Sequence, residues 1–299
     1  MIKTITQNEL ETKFFKIIKA YLDQIRLTNL AKDYVELNLI LIKMLSNLTS
    51  ANVLWSRNKI YDSFVVLRSA FESFVLFEYL KTFPKYTDEY ILDAEISRFK
   101  IYFGYYKHGF MEIAELTDSY LKLKSEAQKK LNLKINSSTN ILEFNLSKLE
   151  GKLRSLPPLN QKVERMIKEL LKKDEADIKE LELFSLAGYR INSQFSHGDL
   201  YSIIDAFVTS DKSKLNEKIY ENIKECFRQS VYIIAYSMEA ITELLNIDNT
   251  LKQVVWDKII QFYDYLGYDT KKMFADRIPN KPNIIDIYNF DLRNSIYSI

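Results

Sequence analysis

Cysteine, histidine, glycine and proline are all scarce in this 299-residue chain, with one, two, six and five residues respectively. The single cysteine, Cys226, cannot close an internal disulfide, and without a Cys-x-x-Cys pair there is no zinc knuckle or thiol redox centre of ordinary spacing. So little glycine and proline removes the tight turns that a sandwich, a barrel or a Rossmann sheet needs. There is no phosphate-cradling glycine loop and no Gly-x-Ser-x-Gly elbow, which sets aside the common nucleotide-binding and α/β-hydrolase chemistries. His108, in "YYKHGF", has no histidine four residues away and no cysteine nearby, so it reads as a surface or helix-end residue. No metal and no organic cofactor is expected.

Charge of one sign is also missing: Lys plus Arg is 42 against 40 for Asp plus Glu, a net of +2. Bulk charge therefore neither requires nor forbids a nucleic-acid partner, and only a local basic patch could steer one. The start, "MIKTITQNELETKF", has no apolar stretch of the signal-peptide kind, and a cytoplasmic location is expected. The greasiest segments, residues 63–80 and 230–245, carry charges and fall short of about 18 uninterrupted apolar residues. Both read as buried helices, and no membrane partner is expected.

What is present is material for a core, 47% apolar residues with 13% aromatics, arranged at helical spacing. The expected fold is all-α: a multi-helix bundle over residues 35–248, with an N-terminal helical extension (1–34) and a C-terminal helix and irregular tail (249–299). Thr6 and Glu9 form a capping-box pattern ahead of Leu10, Phe14, Ile18, Tyr21 and Ile25, which predicts a helix over about 7–27. Leu37, Leu41, Met44, Leu45 and Leu48 predict a second, running toward Trp55, and a third over about 58–82 ends at Pro84. Thr87 can cap onto Asp88 and Glu89, opening a long pattern to about 131 that breaks at Gly104 or Gly109. The stretch "QKVERMIKELLKKDEADIKELE" is so charged that it is expected to be largely solvated. A last long helix is predicted from near Ser213 to Leu245, with Cys226 in its core face, and the tail after Lys281 reads as irregular.

Two polar constellations stand out. In "DSFVVLRSAFESFVLFEYL", Arg68 and Glu72 sit four apart on a helix that is apolar nearly all round, so Arg68 is expected to be at least partly buried and paired with Glu72. That pair fits either an internal packing clamp or a support for the second constellation, "AGYRINSQFSHGD". There, seven residues at about 100° each place His197 about 20° around the helix from Arg190 and about 10 Å along it. Leu181, Phe184, Ile191 and Phe195 make the apolar stripe; Leu183, Leu186, Arg190, Ser193 and His197 make a second line about 120° to 150° away. A core histidine belongs in the apolar stripe, and this one lies off it. Helix-terminal histidines also act simply by favouring the helix dipole, so a structural and a functional reading both stand.

Arg190, six intervening residues and His197, near the end of a helix in an all-helical chain, resemble the Arg-x(4–6)-His motif of the HEPN superfamily. "LRSAFESFVLFEYL" and "YRINSQFSHGD" also resemble an uncharacterised bacterial all-helical family with an Arg-Ser helix carrying a glutamate and a later Tyr-Arg…Ser…His helix, over about residues 35–245. The resemblance implies a metal-independent endoribonuclease of a toxin or phage-defence system. RNA would be its substrate, the working form a homodimer, and an antitoxin or defence-system protein a possible partner. In that reading His197 is general acid or base, Arg190 stabilises the phosphorane, Asn192 and Ser193 orient imidazole or phosphate, and Tyr189 packs beside them. The product is a 2′,3′-cyclic phosphate. The alternative is a non-catalytic helical scaffold, or an anion- or nucleotide-binding module; Ile191 directly follows Arg190, where HEPN ribonucleases commonly carry a polar residue.

Overall fold

The computed structural model describes residues 7–57, 59–131, 163–172, 212–246 and 250–265. Among these there is no strand: the protein is an all-α helical bundle. The helices are α1 (Gln7–Arg26), α2 (Leu30–Asp33), α3 (Val35–Ser56), α4 (Ile60–Thr82), α5 (Thr87–Lys107), α6 (Ile113–Leu131), α7 (Val163–Leu171), α8 (Lys212–Leu245) and α9 (Thr250–Tyr265), with a 3-10 turn at Pro84–Tyr86. The chain forms two compact units, Met1–Lys81 with Leu170–Ile299, and Thr82–Glu169.

In the first unit α1 packs against α3 and α9, and α8 against α9 and α3. The short connection through Thr28 forces α1 and α3 antiparallel: the Thr28 hydroxyl donates to the Ile25 carbonyl at 2.7 Å and accepts the Leu30 N–H at 3.2 Å, ending one helix and starting the next. Phe14 of α1 meets Trp55 of α3 edge to face at 6.3 Å between centroids. Near the same end the Asn52 amide donates to the Glu11 carbonyl at 3.3 Å, and Ser56 and Arg57 address the Glu11 carboxylate at 3.2 and 3.5 Å. Phe14, Ile17 and Tyr21 are fully buried, so α1 is integral to this core.

Helices α4 and α8 run parallel. Ser63 lies 3.1 Å from the Cys226 thiol, and Lys81 reaches Glu243 at 3.0 Å. Nearly the same sequence offset at both ends is what two parallel helices of equal rise produce. Cys226 is wholly buried, as its place among apolar neighbours suggests. The buried phenol of Tyr21 donates to Ser237 at 2.8 Å, joining α1 to α8; burial pushes its pKa up, the bond to Ser237 pulls it back, and Glu78 adds to the rise.

Lys81 is only 15% exposed at its side chain and bonds Glu78 at 3.1 Å as well as Glu243. Burial alone pulls this ammonium down, and the two carboxylates outweigh it, so its pKa lies above the ordinary lysine range. A raised folded-state value means that the stabilisation is fully present below the ordinary lysine pKa and is lost as pH rises through the raised one. Lys81→Met is therefore expected to cost about 1–2 kcal/mol at neutral pH. In urea denaturation of both proteins, the gap between wild type and variant should close at strongly alkaline pH. An alkali-independent gap would show that charge is not what Lys81 contributes.

Helix α3 is, among the described residues, the one helix long and apolar enough to cross a membrane, and not the two segments that look greasiest by eye. Its hydropathy comes from an inner face of Leu37, Leu41, Met44, Leu45 and Leu48, all buried, together with exposed Val35, Leu39 and Ile42.

The second unit is built on an α5–α6 hairpin. Leu92, Ile96 and Phe99 of α5 interlock with Leu116, Tyr120, Leu123 and Ala127 of α6. Of the two glycines that could end α5, Gly109 does so: it takes φ 74°, its N–H donates to Tyr106 and that of Phe110 to Tyr105, the paired bonds of a Schellman motif. Gly104 stays helical. Thr87 does not cap. The 3-10 turn runs straight into α5 with Tyr86 at the boundary and no side-chain cap, so Thr87 is already helical. Within the charged stretch after residue 160, Val163, Ile167 and Leu170 fall at four- and three-residue steps and make the buried stripe of α7.

Candidate functional site

Of the candidate residues, the structure describes Arg68 and Glu72. Tyr189, Arg190, Asn192, Ser193 and His197 lie outside the described residues, as do the Thr6 cap and the tail after Lys281. Arg68 and Glu72 are brought together as expected, with Nε donating to Oε1 at 2.9 Å across one turn of α4. Four-residue spacing places the two side chains one above the other, and a fork donor meets a carboxylate without leaving the helix.

Their environment is less buried than a helix apolar all round implies. Phe64, Leu67, Phe71 and Val75 are buried, but Tyr61, Val65, Arg68, Ser69, Glu72 and Leu76 form a partly open strip along α4. The side chains of Arg68 and Glu72 are 20% and 38% exposed. Water therefore shares the solvation of both charges, and the cost of breaking the pair shrinks from the several kcal/mol of a buried pair to about 1 kcal/mol, including the packing of the arginine stem. Arg68→Ala should lower the thermal midpoint by a few degrees only. A loss several times larger would place the pair in the buried class after all.

Sequence reading missed the Glu78–Lys81–Glu243 cluster. Two members were visible at three-residue spacing in "FEYLK"; the third is 162 positions away and is delivered by the parallel pairing of α4 and α8. His108 is exposed and closes α5. Among the described residues no three His, Cys, Asp or Glu side chains are grouped to hold a metal ion.

The architecture defines a class, the all-α helical bundle proteins. Within it, the chain belongs to the family of unknown function DUF5677, whose sequence profile matches residues 36–215, more than half its length. No curated protein and no solved structure matches the chain. The matched segment contains both constellations, Arg68 with Glu72 and Tyr189 to His197. It leaves out α1, α9 and most of α8, although these supply Phe14, Tyr21, Ile234, Met238 and Ile259 to the core of the first unit.

Proposed function

We propose that this protein is a HEPN-like, metal-independent endoribonuclease of a bacterial toxin or phage-defence system, working in the cytoplasm as a homodimer. The observation that carries the reading is the spacing Arg190–x(6)–His197 on one predicted helix face, off its apolar stripe, inside the segment that defines the family. An imidazole with a pKa of about 6.5 populates both protonation states near neutral pH and can move a proton in either direction. His197 takes the proton of a ribose 2′-OH, and the oxygen attacks the adjacent phosphorus. Arg190 braces the charge that gathers there, the bond to the 5′-oxygen breaks, and that oxygen leaves with a proton from the second copy's His197. The products are a 2′,3′-cyclic phosphate and a 5′-hydroxyl. Asn192 and Ser193 orient the reacting groups, and Tyr189 packs beside them. An antitoxin or another defence protein is the partner this role calls for.

The test is to incubate the full-length protein with single-stranded and structured RNA in EDTA and map the ends. Cyclic phosphate ends with DNA untouched support the reading; activity lost only on chelation would contradict it. One observation favours a second reading, a non-catalytic scaffold or a module that binds an anion or nucleotide. Glu72 engages Arg68 within one helix, as a packing clamp does. No cleavage of any RNA, with growth unaffected by expression, would decide for that role.

A further inference from the structure

Helix α3 has a second apolar line on the side facing away from its buried residues. Val35, Leu39 and Ile42 are 48%, 59% and 49% exposed, with exposed Ser46 next in line. Steps of four, three and four residues keep these positions within about 60° on the helix, the spacing of a coiled-coil seam. Glu36 and Lys43 flank the line on one side, seven residues apart, and neither forms an ion pair within the chain among the described residues.

We propose that this line is a self-association surface on which α3 of a second copy of the chain packs antiparallel. A two-fold axis beside Leu39 sets Val35 of one copy against Ile42 of the other, with the two Leu39 side chains meeting at the centre. The same operation sets Glu36 beside Lys43 twice over, so the charges complement each other on the side where they lie. A parallel two-fold would carry the second copy's Glu36 and Lys43 to the opposite flank of the seam, where neither charge meets its complement, and so is disfavoured. The symmetric packing needs no residue from elsewhere, as an isologous contact requires. Charges beside the line argue for a protein partner over a lipid surface, where both would have to leave water. Three half-exposed side chains and their rim fall short of a standard interface, so the contact is weak, on the order of micromolar. The proposal is independent of the ribonuclease reading. If the Arg190–His197 helix also pairs two copies, the two contacts together build a tetramer or a chain of dimers.

Sedimentation velocity of the full-length protein between about 1 and 100 µM, the range set by such an affinity, is the test. Wild type should self-associate, and Leu39→Glu should weaken association at least about tenfold with circular dichroism unchanged. Glu36→Lys and Lys43→Glu should each weaken it, and the double reversal should restore it. Leu39→Ala, which adds no charge, should weaken it less and serves if Leu39→Glu does not fold. A strictly monomeric wild type, an assembly indifferent to Leu39, or a double reversal no better than the single changes would each overturn the proposal. Binding of monomeric wild type to phosphatidylglycerol vesicles, lost in Leu39→Glu, would overturn it in favour of a membrane surface.

Discussion

His197→Ala is expected to lower RNA cleavage by about 10²- to 10⁴-fold, the worth of a positioned general acid or base. Arg190→Ala should reduce it comparably, by removing the cation that meets charge on phosphorus. Neither change should alter helix content or the thermal midpoint, because the sequence pattern puts both residues off the apolar stripe of the predicted helix. Initial rates on a labelled RNA, with circular dichroism of each variant, measure this, and growth during expression gives the same answer without a guess at substrate. A histidine that merely favours the helix dipole behaves in the opposite way: His197→Ala would then shift the melt and leave every rate where it was.

The largest effect on stability is expected from Trp55→Ala. Trp55 is 2% exposed and is among the largest side chains of the first unit, wedged against Phe14 where α1 crosses α3. Deleting it leaves a void that the aromatic partner cannot fill, which costs about 3–5 kcal/mol. For a protein of this size the thermal midpoint should fall by roughly 10 °C. Denaturant melts followed by far-UV circular dichroism check it. A loss under about 1 kcal/mol would mean that α1 is not part of the cooperative core.

Local signals made much of this fold legible. Helices α1, α3, α4 and α8 were readable because their apolar residues repeat at three- and four-residue steps over five or more turns and because Pro84 stops α4. The break between α5 and α6 was readable as one of two glycines; the choice of Gly109 depends on a left-handed backbone angle that composition does not encode. Helix α7 was hidden because a three-residue stripe, Val163, Ile167 and Leu170, sits in a run of charges that dominates any window average. The Arg68–Glu72 pair was legible because it is local. Its degree of exposure was not, since that depends on which neighbours cover α4. The parallel pairing of α4 with α8, and with it the Lys81 cluster, depends on contacts about 160 residues apart that no local pattern specifies.

The most direct measurement of the central claim replaces a single ribose. Once a cut site is mapped, an RNA carrying 2′-deoxyribose at that position alone removes the one hydroxyl on which the proposed proton transfer acts, while leaving base and phosphate in place. Cleavage at that position should vanish and continue at neighbouring sites, with cyclic phosphate ends in EDTA. Cleavage that persists at the deoxy position would mean that the attacking oxygen is not the ribose hydroxyl, and the roles given to Arg190 and His197 would fall with it.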